Sequence, residues 1–284
     1  MKQFYTKVLL VSAVSLASAA NVYAAVPWVG SADYLAAPNA QNDEALVGPF
    51  DSYDFGAGIG LIKPDGQVAV GQTFSGWFQT WVGSHVLNGS GITVPQLNTS
   101  GSGTGFELTV VSQFTGTYTS LVPGGMSFTI DSGLASMMFD SNPNYHFGLD
   151  QGFIDGDAIF AGSITGGSGF VNTAIGYGFE AVSLDMTGSL GLVDANVYSP
   201  DNINGANALF SVAVKTPFVN TPVINQVLAG NKTVQGNSVI NGQLFELDGN
   251  LQLTAVPLPA TAWMFLGGLF GLVGINRKKR HLVA

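Results

Sequence analysis

The chain has 284 residues, with 18 Asp and Glu against 9 Lys and Arg, 38 glycines and no cysteine. Six of the basic residues stand at the two ends, Lys2, Lys7, Arg277, Lys278, Lys279 and Arg280, so residues 25–255 set all 18 carboxylates against only Lys63, Lys215 and Lys232, a net charge of −15. Such a body repels polyanions and excludes nucleic-acid binding, the absence of cysteine removes disulfides, zinc–thiolate sites and thiol nucleophiles, and an aromatic content of 11% argues for a packed fold over a disordered glycine-rich linker.

Residues 1–24 read as a secretory signal peptide. Lys2 and Lys7 make the charged start, residues 8–20 an apolar and small-residue stretch, and Val22-Tyr23-Ala24 a cleavage site before Ala25. The competing reading, an uncleaved membrane helix, is weakened by Ser12, Ser15 and Ser18 and by a run that is short for a span.

Residues 25–254 form a β-rich extracytoplasmic body. From Gly71 onward, apolar and polar residues alternate in short runs bounded by Gly, Asn and Pro. In residues 106–114, Phe106, Leu108, Val110 and Phe114 share one face, and Glu107, Thr109 and Gln113 the other. Met126, Phe128 and Ile130 alternate with polar neighbours, as do Phe210, Val212 and Val214. The same period recurs over residues 73–82, 158–164 and 181–190. Gly56-Ala57-Gly58-Ile59-Gly60 reads as a loop or strand bend, and Asp248-Gly249-Asn250 as a tight hairpin turn. No long segment of helical period competes before the C-terminus. The expected class is all-β, as a β-sandwich or jelly roll with a barrel as second choice.

Residues 255–284 follow a different pattern. Val256-Pro257-Leu258-Pro259 comes first, then an apolar stretch over residues 260–275, then a basic end over residues 276–284 with Arg277, Lys278, Lys279 and Arg280. The two prolines hold their segment extended and out of regular structure, which suits a processing enzyme. As a helix, residues 260–275 reach about 24 Å, somewhat short of the bilayer core of about 30 Å, and the basic cluster keeps the tail end cytoplasmic.

Taken together, Val256-Pro257-Leu258-Pro259-Ala260, Trp263, the Gly/Leu/Phe-rich stretch and the basic end resemble the PEP-CTERM sorting domain in its VPLPA variant. The resemblance implies processing by an exosortase, a membrane-embedded cysteine protease, in Gram-negative bacteria that make exopolysaccharide. Leu258 stands where the family name has Glu. Leu258-Pro259-Ala260-Thr261-Ala262 also resembles the sortase signal of Gram-positive walls, but Ala262 stands where that signal needs Gly. A third reading is a plain anchor that nothing cleaves. Within the body, residues 70–79, residues 106–111 with Gln113-Phe114, and Gly152-Phe153 with residues 155–159 resemble the flocculation-associated PEP-CTERM proteins. That resemblance implies cell aggregation with exopolysaccharide in place of catalysis, while the tail implies transient residence in the inner membrane and then a place at the cell surface or in the matrix.

Three features carry candidate chemistry. Asp150, Asp155 and Asp157 lie near Gly152 and Gly156 and can in principle wrap calcium, though the spacing is not that of an EF-hand and Asp-Gly is common in plain turns, the stronger reading. Trp77 and Trp81 flank Gln79 on one strand face, where exposed rings stack on sugars and buried ones fill a core. His85 and His146 sit in no nucleophile motif, and only a facing pair such as Glu107 and Glu180 offers glycosidase-like acids. The expected role is therefore non-enzymatic and without a cofactor, with a carbohydrate-active enzyme of the matrix or a calcium-dependent adhesin as alternatives.

Overall fold

A computed structural model describes residues 26–98, 104–123, 125–172, 182–203, 207–214 and 221–255. The leader, the sorting motif Val256 to Pro259, the apolar stretch and basic end that follow it, and Glu180 lie outside the described residues. Among the described residues, no helix is long and apolar enough to cross a membrane.

The strands in chain order are β1 (Val26–Pro27), β2 (Gly30–Asp33), β3 (Leu46–Phe50), β4 (Ser52–Phe55), β5 (Gly58–Pro64), β6 (Thr73–Leu87), β7 (Ser90–Ile92), β8 (Glu107–Val122), β9 (Gly125–Asp140), β10 (Asp157–Asn172), β11 (Val182–Val193), β12 (Tyr198–Ser199), β13 (Asn207–Val214), β14 (Thr233–Val234), β15 (Asn237–Ser238), β16 (Gln243–Gln252) and β17 (Thr254–Ala255). Among the described residues one α-helix, α1 (Pro222–Ala229), interrupts the pattern. The sequence period gave no sign of it, because eight residues span barely two turns. Its ends are nonetheless written locally: the Thr221 hydroxyl accepts from the Ile224 amide, Pro222 opens the first turn and Gly230 follows the last.

The body is all-β, as expected, but its pairing departs from a sandwich or jelly roll. Strand β6 pairs with β8, β8 with β9, β9 with β10, β10 with β11 and β11 with β13, each antiparallel and in chain order. Strand β16 then pairs with β13 on one side and with β4 and β5 on the other, and both of these pair with β6. The ladder is thus cyclic, an up-and-down barrel whose first stave is β4 and β5 in succession. Alternation along a strand reports which side is apolar but not whether the last strand finds the first, so the pattern alone did not separate these architectures.

The expected turn at Asp248-Gly249-Asn250 is also corrected, because β16 runs straight through it. Its first half, Gln243 to Leu247, pairs with β5, its second half, Asn250 to Gln252, pairs with β4, and Gly249 lies opposite Val212 of β13. The glycine marks the place where β16 passes the break between β4 and β5 at Gly56 and Ala57.

Apolar side chains from around the ladder form one buried interior cluster, including Phe74, Phe78, Val82, Leu108, Val110, Phe114, Phe128, Ile130, Phe139, Ile159 and Phe245. Glycines make room for the rings. Phe74 lies opposite Gly116, and Gly76 opposite Phe114. A Cβ on Gly116 would sit 2.3 Å from the Phe74 ring, and one on Gly76 would sit 2.4 Å from the Phe114 ring. Large and small residues must interchange in this way inside a narrow barrel, where each buried ring contributes about 1.5–3 kcal/mol.

The N-terminal segment completes the interior. Trp28, Ala32, Tyr34, Val47 and Phe50 belong to the same cluster. The Trp28 indole meets Phe50 and Tyr198 edge-on and donates through Nε1 to the Pro200 carbonyl at 2.9 Å. The Trp28 amide donates to the Leu253 carbonyl at 3.1 Å, and Val26 pairs with Ala255, so the two ends of the body leave it side by side.

A chain of polar groups crosses this apolar interior. The Tyr34 hydroxyl lies 2.7 Å from His85 Nε2 and 3.2 Å from the Tyr53 hydroxyl, which lies 2.8 Å from the Tyr198 hydroxyl. All four side chains are buried, and His85 Nδ1 has no hydrogen-bond partner. Burial pushes the His85 pKa down to about 3, so the ring is neutral. Burial also raises the hydroxyls of Tyr34, Tyr53 and Tyr198.

Because the unfolded chain protonates His85 near 6.5 and the folded one only near 3, its contribution to stability is complete above 6.5 and is lost as pH falls toward 3. Denaturant melts of His85→Phe between pH 7 and pH 4 will therefore show a shallower loss of stability than the parent. Parallel profiles would contradict the buried neutral ring.

Candidate functional site

The outer wall of β5, β6 and β8 carries a second cluster, in which Ile59, Leu61, Phe147, Phe153, Val223, Ile224, Val227 and Val234 are buried together. Its roof consists of the segment between β9 and β10, helix α1 and the β14–β15 hairpin. Strand β6 supplies both clusters: Phe74, Phe78 and Val82 point inward, while Trp77, Gln79 and Trp81 point outward under or beside this roof.

The two tryptophans are half-buried and both pack against the outer cluster. Trp81 is held on two sides. The Tyr145 ring stacks on it with centroids 5.7 Å apart and planes at 15°, and Gly56 lies so close that a Cβ there would sit 2.1 Å from the indole. A sugar ring reaching the Trp81 face would have to displace Tyr145. Trp77 lies nearer the open part of the face, opposite the exposed Gln113.

The three aspartates of the candidate calcium loop are engaged separately. Asp150, at φ 54°, accepts from Gln79 Nε2 at 3.0 Å and the Gln235 amide at 2.9 Å through Oδ1, and from the Gly236 amide at 2.8 Å through Oδ2. Gln235 in turn donates through Nε2 to the carbonyls of Phe78 and Ser112. Asp150 therefore ties the roof to the barrel wall. Asp155 accepts from Asn144 Nδ2 at 3.2 Å, and Asp157 from Asn39 Nδ2 at 2.6 Å. Among the described residues, no three His, Cys, Asp or Glu side chains are grouped to hold a metal ion.

Glu107 is the residue whose state the sequence could not foretell. It opens β8 on the outward face, yet the segment between β9 and β10 covers it fully. Its Oε2 accepts from the amides of Asn144 at 2.9 Å and Tyr145 at 3.2 Å, while Oε1 is buried without a partner. Asp140 lies opposite on β9. Burial pushes the carboxyl up to about 8, the two amides oppose this, and the charges of Asp140 and Asp155 add to the rise. Glu107 thus carries its proton at neutral pH, buried beneath backbone.

The arrangement at Glu107 sets a pH limb opposite in sign to that of His85. The folded state holds the Glu107 proton more tightly than the unfolded chain does, so the stabilisation is complete below 4.5 and is lost as pH rises toward 8. Glu107→Gln keeps the acceptor for both amides and removes the titration. Thermal melts will show the variant gaining on the parent between pH 6 and pH 9. A gap that stays constant over that range would contradict the buried acid.

No protein-family model, curated protein or solved structure matches the chain.

Proposed function

We propose that this chain is an exported surface or matrix protein, handed by its C-terminal tail to an exosortase, that promotes floc or biofilm cohesion with exopolysaccharide. The observation that carries the reading is the order and spacing of the tail in the sequence: Pro257 and Pro259 two residues apart, a short apolar stretch, then Arg277, Lys278, Lys279 and Arg280. In this reading the apolar stretch over residues 260–275 is a transient membrane helix in the inner membrane.

Two properties of the body support it. Charge is one, since a net −15 between residues 25 and 255 suits a solvated extracytoplasmic surface. The position of the ends is the other. Ala255 pairs with Val26, so the residue before the sorting motif and the second residue after the leader are neighbours in one ladder. A body of that kind meets a membrane through one pole, whichever segment still tethers it.

The alternative of a matrix carbohydrate-active enzyme draws on Glu107, a carboxylic acid kept protonated at neutral pH. Its burial under the Asn144 and Tyr145 amides leaves a substrate no approach to it, so the structural role is the stronger reading. The adhesin alternative would need Asp150, Asp155 and Asp157 to leave their present partners for calcium.

Mass spectrometry of the mature C-terminus tests the sorting step. In cells with an exosortase the recovered protein will lack residues 260–284, and in cells without it those residues will be retained. Retention in both backgrounds would overturn the proposal.

A further inference from the structure

Beside the roofed cluster, the outer wall of β6, β8, β9 and β10 stands open, and hydroxyl side chains fill two neighbouring cross-strand rows of it, between the exposed Leu134 of β9 and Phe170 of β10. Thr73, Thr117, Thr129 and Ser168 lie in one cross-strand row, each paired with the next. All four are exposed or half-exposed and alternate with inward-facing Phe74, Tyr118, Phe128 and Gly169. In the neighbouring row Thr115 lies opposite Ser75 and Ser132, and its hydroxyl is 3.1 Å from that of Ser132. Cross-strand neighbours stand about 4.5–5.5 Å apart, so the wall presents a regular lattice of hydroxyls.

The protons of this lattice are largely committed. Thr117 donates to Asp131 Oδ2 at 2.7 Å and Thr129 to Asp131 Oδ1 at 3.1 Å, while Thr73 donates to Asp65. What these hydroxyls offer outward is lone pairs, held in fixed directions by the carboxylates they bond. A complementary ligand must bring O–H donors and no negative charge. A polyanion meets Asp131, Asp65 and the acidic body. A protein partner needs an apolar centre to its interface, whereas here the exposed Leu134 and Phe170 stand at the margins and the centre is hydroxyls. At the edge of the lattice Trp77, half-buried and two residues from Ser75, offers a ring for stacking against a sugar.

We infer that this hydroxyl lattice is the docking face for an uncharged polysaccharide chain. The inference deepens the matrix-protein reading and rests on it, moving the point of contact from the covered Trp81 to the open wall beside Trp77.

The test uses exopolysaccharide from the producing cells, separated by anion exchange into neutral and acidic pools, each cast into native affinity gels. The parent protein will be retarded by the neutral pool and not by the acidic one. Thr117→Val with Thr129→Val keeps the β-branched shape and removes two hydroxyls, so retention on the neutral pool will weaken about tenfold. The matching pair of Thr→Ser changes will keep it. If the valine pair does not fold, Thr115→Val alone will weaken retention about threefold. A parent protein retained only by the acidic pool, or by neither, would overturn the inference, as would a folded valine variant that binds like the parent. Flocs lost on gene deletion, with no retention on the neutral pool, would sink this inference and leave the matrix role standing. Retention on the neutral pool, with flocs intact after deletion, would do the reverse.

Discussion

Closure of the ladder by β16 is the constraint on which the rest of the body depends. That strand bonds β13 on one side and the split stave β4–β5 on the other, so the long strands β6 to β11 have no free edge between them. Once the sheet is cyclic, one face of every strand is enclosed. The rings of Phe74, Phe114 and Phe128 then meet across the inside, and residues 26–50 are drawn in to fill what the wall alone leaves open. An open sheet of the same strands would leave that aromatic face in water.

Closure also decides where polarity goes. With most of the apolar residues inside, the outer wall is free to carry threonine, serine and aspartate beside a few exposed apolar side chains such as Leu134 and Phe170, except where α1, the β14–β15 hairpin and the segment between β9 and β10 cover it. His85 within the barrel and Glu107 beneath the outer roof are caught on the dry side of these boundaries, and both are neutral at neutral pH. The body therefore buries no unpaired charge at either position. Among the described residues most of the other carboxylates are at least partly exposed, where their charge turns polyanions away.

Much of the strand grammar was legible in the residues. Phe106, Leu108, Val110 and Phe114 share the inner face that their alternation predicts, and the same period over residues 73–82 sets Phe74 and Phe78 against Trp77, Gln79 and Trp81. Closure was not legible, because it depends on which strand β16 finds some 190 residues away, and no local period encodes that. Gly249 misled for a related reason: the glycine that permits a tight turn also permits a strand to pass between two partners. The polar chain from His85 through Tyr34 and Tyr53 to Tyr198 gathers residues up to 164 positions apart, and each tyrosine alone looks like any core aromatic. Glu107 read as a solvent-facing strand residue because its roof comes from residues 144 and 145, far along the chain. Asp150 reads locally as a turn aspartate, but its work is to hold the amides of Gln235 and Gly236, which lie beyond any local motif.

The proposed matrix role asks for a body that is durable, edge-free and tethered through one pole, and a closed barrel with paired ends meets that need. Since the chain contains no cysteine, a single engineered pair reports closure without background. Ser211 of β13 and Asn250 of β16 are directly opposite, at a separation that a disulfide can bridge in an antiparallel ladder. In the double variant Ser211→Cys with Asn250→Cys, mild oxidation of the folded protein should consume both thiols within the monomer. Two thiols that stay free, or that link only between molecules, would mean that the last strand does not close the sheet.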